Sequence, residues 1–184
     1  SAAAAALNIG REFPDIRVLG LPMEQSDLGQ VETAFRRVRE TFGRLDVFVA
    51  NAADLGVGYH IYNTTPEDWD RVMNVNVRGA FFCCQQAARL MGEGSAIVFI
   101  SSVHANASIV GRVAYSTSKA ALGGMMRSLA LELAGQGIRV NSVIAGAIWT
   151  DRWAAQTPEE TEQRRKKYPT GRESSPDEIA SAVY

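Results

Sequence analysis

Apolar runs spaced along the chain set the limits on what it can fold into. Leu45-Asp46-Val47-Phe48-Val49-Ala50, Ala96-Ile97-Val98-Phe99-Ile100-Ser101 and Ile138-Arg139-Val140-Asn141-Ser142-Val143-Ile144 read as strands. So does Ile16-Arg17-Val18-Leu19-Gly20-Leu21, after the turn signals at Asn8, Gly10 and Pro14. The run at 45–50 is nearly continuous rather than alternating, as in a parallel strand covered on both faces. Between the runs lie segments of helical period. Val31, Ala34, Phe35, Val38 and Phe42 form one stripe. Trp69, Val72, Met73, Asn76, Ala80, Cys83, Ala87 and Leu90 form another. A third helix, from about Tyr115, carries Leu122, Met126, Leu129 and Leu133 on one side. Strands alternating with long helices imply right-handed βαβ units and a parallel sheet, hence an α/β fold.

Local signals set the ends of these helices. Ser1-Ala2-Ala3-Ala4-Ala5-Ala6-Leu7 reads as helical, because alanine is the best helix former. Ser26 or Asp27 caps the next helix, and Gly43 stops it. Thr65-Pro66-Glu67-Asp68 and Ser175-Pro176-Asp177-Glu178 are strong starts, with a hydroxyl cap, proline at the first turn and acids beside the helix N-terminus. Gly123-Gly124 lowers the stability of its helix, which close approach of another backbone, such as a second subunit, would offset. Gly135 and Gly137 end that helix. The basic run Arg164-Arg165-Lys166-Lys167 reads as a solvated helical lid.

At 184 residues the chain suits one domain. A net charge of −1 gives no electrostatic reason to expect nucleic acid or an anionic membrane as partner. Charged or polar residues interrupt every apolar run before it could cross a bilayer. The N-terminal stretch lacks the basic start of a signal peptide. Cys83 and Cys84 are adjacent, which suggests neither a disulfide framework nor a metal site, and they read as buried filler. These features point to a reducing, cytoplasmic setting.

The chemistry gathers where the strands end. In an open parallel sheet, ligands bind at the C-terminal edge. Glu24-Gln25, Asn51-Ala52-Ala53, Ser102 and Ala145-Gly146 all follow strands there. Ser102 is followed thirteen positions later by Tyr115, and Lys119 comes four positions after that. On a helix, i and i+4 share a face, so phenol and ammonium lie side by side. A nearby cation lowers a phenol's pKa by roughly 1–3 units and makes it a usable proton shuttle. A serine hydroxyl beside it can hold a substrate oxygen, so the set suits moving a proton on and off an alcohol or carbonyl. Asn76 is an amide on an apolar stripe and must find partners. It is either a bridge between neighbouring backbones or a link in a polar relay beneath the site.

The Ser…Tyr-x-x-x-Lys set resembles that of the short-chain dehydrogenase/reductase family, and the likeness extends over nearly the whole chain. Val49-Ala50-Asn51-Ala52-Ala53 is similar to the family's Asn-Asn-Ala-Gly segment, with Ala50 and Ala53 departing from it. Asn74-Val75-Asn76-Val77-Arg78-Gly79 resembles its Val-Asn-Leu-x-Gly segment. Residues 139–150 resemble its Arg-Val-Asn-x-Val-x-Pro-Gly-x-Ile-x-Thr, with Ala145 in place of proline. Gly171-Arg172 followed by Pro176-Asp177-Glu178-Ile179-Ala180 resembles its closing segment.

The resemblance implies a Rossmann-like doubly wound parallel sheet and a reaction. Asn76, Ser102, Tyr115 and Lys119 would be the catalytic residues. Glu24, Asn51, Ala52, Ala53, Tyr115, Lys119, Gly146, Ile148 and Thr150 would contact NAD or NADP. The implied activity is interconversion of an alcohol and a ketone or aldehyde by hydride transfer, with Tyr115 as general acid or base, on a small-molecule substrate. A sugar, a polyol, a steroid-like ketone and an acyl-carrier-bound keto group are all open as substrates. His104, Asn106, Trp149 and Trp153 either line the substrate pocket or pack their loops. The resemblance also implies a homodimer or homotetramer, formed through the helices that bear Asn76 and Tyr115.

The family's Thr-Gly-x-x-x-Gly-x-Gly turn does not occur in the chain, and neither does its last strand. Residues 1–184 are therefore expected to be a single NAD(P)-binding domain truncated at both ends. The alternative is an inactive fragment, or a non-catalytic nucleotide-sensing or scaffold protein of the same fold.

Overall fold

The computed structural model describes residues 1–184, apart from the side chain of Arg152. The elements follow in order as α1 (Ala2–Glu12), α2 (Leu28–Phe42), β1 (Val47–Ala50), α3 (Pro66–Met73), α4 (Ala80–Ala88), β2 (Ala96–Ser102), α5 (Val113–Leu133), β3 (Arg139–Ala145), α6 (Pro158–Arg165) and α7 (Pro176–Val183). A π-helical turn, Asn74–Gly79, joins α3 to α4, so residues 66–88 wind as one rod with a bulge.

The three strands pair in parallel in the order β1-β2-β3, with Val47 opposite Ala96 and Ala96 opposite Arg139. Parallel neighbours require a helical crossover, which α3–α4 and α5 provide. The core lies between the sheet and these helices. Ile97, Phe99, Ala80, Cys84, Leu122 and Val140 belong to one buried cluster. On the side of α2, Val31, Phe35, Cys83 and Ala87 form a second. Both cysteines are buried, as their placement on the apolar stripe predicts, and burial pushes their thiols up to about 11 and about 12.

The helix starts are as the sequence signals them. Asp27 caps α2, accepting from the Gly29 and Gln30 N–H groups, and Gly43 closes that helix at φ 77°. Thr65 and Ser175 each form a reciprocal capping box, with Asp68 and Glu178. One expected strand is absent. Residues 16–21 pair with no strand, and the sheet has three strands, not four. A strand is a property of a pair, and this segment finds other contacts. Gly20 lies so close to α1 that a Cβ there would sit 2.5 Å from the Ala2 carbonyl oxygen, and Arg17 donates to the Thr41 carbonyl. The first helix also runs through Asn8 and Gly10 and ends only at Glu12, just before Pro14.

The basic run is not a wholly solvated face. Arg164 is buried, stacks 4.2 Å from the Trp153 ring and donates to Glu173. Arg165 donates to the other oxygen of the same carboxylate. The segment leaves and returns at one point, because Trp149 N–H donates to Ser174 C=O and Ser174 N–H to Ala147 C=O. The excursion between them is therefore tied at its neck and again inside.

Candidate active site

Ser102 is the last residue of β2 and lies in register with Ala145 on β3. Its side chain is buried, and its Oγ accepts from the His104 N–H at 3.2 Å. That bond uses a lone pair and leaves the hydroxyl proton for another acceptor. Tyr115 and Lys119 sit one turn apart in the first half of α5, both buried. The Lys119 ammonium is 5.8 Å from the centroid of the Tyr115 ring and donates to the Ile100 carbonyl at 2.7 Å. That carbonyl belongs to β2, so the lysine ties the helix to the strand ending in Ser102. Desolvation pushes the Lys119 pKa down to about 8.

Two further groups flank the phenol. The Arg112 guanidinium lies 5.6 Å from the ring centroid, and the His104 ring meets it edge-on at 6.2 Å. His104 is anchored by its Nδ1 to the Ala107 carbonyl at 3.1 Å. Trp153 is engaged in packing, with its Nε1–H donating to the Ile148 carbonyl and its face under Arg164.

Asn76 is buried inside the π-helical turn, and its side chain hydrogen-bonds to the loop after β1 and to α5. Its Oδ1 accepts from the Asp54 N–H at 2.7 Å, and its Nδ2 donates to the Asp54 carbonyl at 2.8 Å and to Ser118 Oγ at 2.9 Å. Ser118 Oγ in turn donates to the Tyr115 carbonyl at 2.7 Å. The amide therefore fastens the loop after β1 to the helix of Tyr115. π-Helical turns recur at functional sites because they shift the helix hydrogen-bond ladder. Here Gln25 reaches in and donates to the Val75 carbonyl at 2.8 Å. Only glycine fits at 79, since a Cβ would come within 2.4 Å of the Gln25 carbonyl oxygen.

The remaining predicted contacts line the same edge of the sheet. Asn51, Ala52 and Ala53 follow β1, and Gly146, Ile148 and Thr150 follow β3. Asn51, Ala52, Gly146 and Thr150 are exposed, and a Cβ on Gly146 would meet no atom within 4 Å. An ammonium has three N–H donors, and Lys119 uses one on Ile100. Open backbone at two strand ends beside a donor with capacity left suits the ribose and nicotinamide end of a dinucleotide. Glu24 follows residues 16–21, which pair with no strand, and its Oε1 accepts from the N–H and hydroxyl of Ser26. Among the described residues no cluster of His, Cys, Asp or Glu could hold a metal ion.

Comparison with known proteins gives the family. The family model described as enoyl-(acyl carrier protein) reductase matches residues 2–184. A 3alpha-hydroxysteroid dehydrogenase of Mediterraneibacter gnavus is 35% identical over 175 residues, covering 92% of this chain and 68% of that protein. The chain belongs to the short-chain dehydrogenase/reductase family. Carbonyl reductase family member 4 of Danio rerio is 35% identical over 180 residues, covering 97% of this chain and 74% of the relative. A short-chain dehydrogenase of Burkholderia cenocepacia, solved in complex with NADP, superposes with a TM-score of 0.89 at 33% identity, over 99% of this chain and 73% of that one. The Rossmann-like parallel α/β fold is thus shared with solved members of this dehydrogenase/reductase family.

Membership does not by itself explain Ser118, Asp54 and Arg112, the neighbours of the site that sequence reasoning missed, nor the contact that Gln25, expected only at a strand end, makes with Val75. Ser118 and Arg112 lie close to Tyr115 in sequence, but only the fold brings Asp54 and Gln25 to the rod of Asn76. The one available signal was Asn76 itself, a buried amide that had to have partners somewhere.

Proposed function

We propose that the protein is an NAD(P)-dependent oxidoreductase interconverting an alcohol and a ketone or aldehyde on a small-molecule substrate. The observation that carries this reading is a buried Tyr115 one turn from a buried Lys119, with the lysine bonded to the strand that ends in Ser102. The relatives' names, a hydroxysteroid dehydrogenase and a carbonyl reductase, support the same chemistry, and the NADP complex of a structural neighbour supports the cofactor.

In the reducing direction, Ser102 holds the carbonyl oxygen with its hydroxyl proton and Tyr115 delivers its own proton to that oxygen. NAD(P)H, when bound, supplies the hydride to the carbonyl carbon. In the oxidising direction Tyr115 takes the alcohol proton back. Lys119 stabilises the phenolate by its charge and offers its remaining N–H donors to a ribose hydroxyl. Asn51, Ala52, Ala53, Gly146, Ile148 and Thr150 receive the nucleotide, with Glu24 at its adenine end. Asn76 belongs to the catalytic set by fixing the π-helical turn beside Tyr115 and by supporting a proton path to Lys119.

A second copy packs on α4 and α5 in this reading. A hollow of about 330 Å³ there is lined by Phe81, Cys84, Ala88, Leu129 and Leu133, among others, and outside the helix's own backbone a Cβ added at Gly123 or Gly124 would have only the Arg127 guanidinium within 4 Å. No helix of the described residues is long and apolar enough to cross a membrane, and a cytoplasmic enzyme fits.

The test is Tyr115→Phe, which keeps the ring and removes the transferable proton. We expect a loss of turnover of at least about 100-fold, the scale of one general acid–base group, with nucleotide binding retained. Unchanged turnover would sink the assignment of Tyr115, and a parent protein that binds nucleotide without any turnover would favour a non-catalytic role.

A further inference from the structure

We propose that Arg71 is a positioning residue for Tyr115, acting through two arms that meet on its guanidinium. The inference rests on the reading of Tyr115 as the proton donor, but it concerns residues outside that set.

The lower arm begins where Arg71 Nε donates to Asp54 Oδ2 at 2.9 Å. The other oxygen of Asp54 accepts from the Gly56 N–H at 2.8 Å, which fixes the turn after β1. The main chain of the same residue grips both ends of the Asn76 amide. From there the bonds run to Ser118 Oγ and on to the Tyr115 carbonyl. The upper arm begins where Arg71 Nη2 donates to the Tyr59 hydroxyl. The backbone of Tyr59 forms a parallel bridge with Arg112. Arg112 donates to the Leu55 carbonyl at 2.7 Å and lays its guanidinium beside the Tyr115 ring.

The loop carrying both arms lies against the root of the Tyr115 side chain. Gly56 takes φ +50°, and a Cβ there would meet Val72 at 3.0 Å, the Tyr59 ring at 3.4 Å and Tyr115 Cβ at 3.7 Å. A shift of this loop therefore moves the tyrosine. Without Arg71, Asp54 loses its ion pair and the Tyr59 hydroxyl is left with Asp68, while the main-chain bonds to Asn76 still hold the start of the loop. The side chains of Arg71 and Asp54 are 52% and 25% exposed. Pairs with such exposure add little to stability, so an effect on turnover far larger than the effect on unfolding separates positioning from mere support.

The experiment compares Arg71→Met with the unchanged protein by steady-state kinetics, thermal unfolding and NMR of ¹³C-labelled tyrosine. The chain has five tyrosines, and Tyr115→Phe identifies the signal of interest. We expect kcat to fall roughly tenfold or more, since small misplacements of a reacting group carry large rate penalties. KM should stay within about twofold, as expected for a group acting on the transition state alone. The Tyr115 ring signal should move, and Arg71→Lys, which keeps the charge opposite Asp54, should recover part of both effects. Adding Asp54→Asn and Tyr59→Phe to Arg71→Met should change little more, because the arms are already cut. An unmoved ring signal with unchanged kcat would overturn the proposal. So would a normal kcat in the Asp54→Asn, Tyr59→Phe double variant alongside a slow Arg71→Met. If Tyr115→Phe itself turns over normally, the catalytic reading falls, while the ring signal still decides the positioning of Tyr115.

Discussion

Lys119 and Glu173 are both buried charges, and the molecule treats them in opposite ways. Lys119 meets a neutral carbonyl and an aromatic ring, and among the described residues no carboxylate pairs with it. Its pKa falls to about 8 because burial disfavours the ammonium. Glu173 is gripped by Arg164 and Arg165. Burial alone would raise its pKa, but hydrogen bonds from its own N–H and from both arginines outweigh that and hold it at about 2. In the proposed mechanism the first charge serves chemistry at a cost to the fold. The second is neutralised where it stands and serves the fold. Among the described residues, the buried charge with no neutralising carboxylate is the one in the candidate site.

The largest effect should come from breaking the satisfied pair. Glu173→Ala leaves the Arg164 guanidinium buried over Trp153 without its carboxylate. Losing one partner of a buried pair costs about 3–5 kcal/mol, and urea unfolding should show a loss near the lower figure because Arg164 keeps its stacking. The pH dependence has a definite sign. The folded pKa of about 2 lies below the ordinary 4.5, so this stability is complete above pH 4.5 and is lost as the pH falls toward 2. Glu173→Gln should lack that acid-side loss. Equal stability of Glu173→Ala and the parent protein would show that the excursion at 147–174 is held by its neck alone.

The same contrast explains what the sequence could reveal. Capping residues, apolar stripes and the Tyr115–Lys119 spacing depend on neighbours within a few positions, so Asp27, Thr65, Ser175 and the face of α5 were all legible. Residues 16–21 have the composition of a strand, but strand formation depends on a partner distant in sequence, and among the described residues no strand pairs with them. Arg164 looked like part of a solvated charge run, because nothing local says that Glu173 and Trp153 fold over it. At the site, Asn76 stood out as an amide among apolar residues. Its partners did not, because Asp54 contributes main-chain atoms, which leave no trace in residue type.

The middle effect sharpens the other side of the comparison. Lys119→Met removes a charge that the fold holds at a disadvantage. The depression from 10.5 to about 8 corresponds to about 3 kcal/mol against the ammonium. The lost hydrogen bond to Ile100 offsets about 1 kcal/mol of that gain. At pH 7 the variant should therefore be about 2 kcal/mol more stable than the parent while losing turnover, a trade typical of active sites. A less stable variant would mean that the bond to Ile100, rather than the chemistry, is what keeps a lysine at 119.

The smallest effect is the most specific to Lys119. Its folded pKa lies below its unfolded one, so above pH 8 the unfolded chain retains more protons there and stability rises with pH up to 10.5. Cys83 and Cys84 act in the reverse sense. Their folded values of about 11 and 12 lie above the ordinary 9, so stability falls once the pH passes 9. The parent protein should therefore show a shallow maximum between about pH 8.5 and 9, well under 1 kcal/mol above its value at pH 7. Subtracting the curve for Lys119→Met removes the thiol contribution, which both proteins share. The difference should climb by about 1 kcal/mol from pH 7 to pH 9. A flat difference would mean that the ammonium keeps an ordinary pKa inside the fold, and the contrast with Glu173 would then be one of geometry alone.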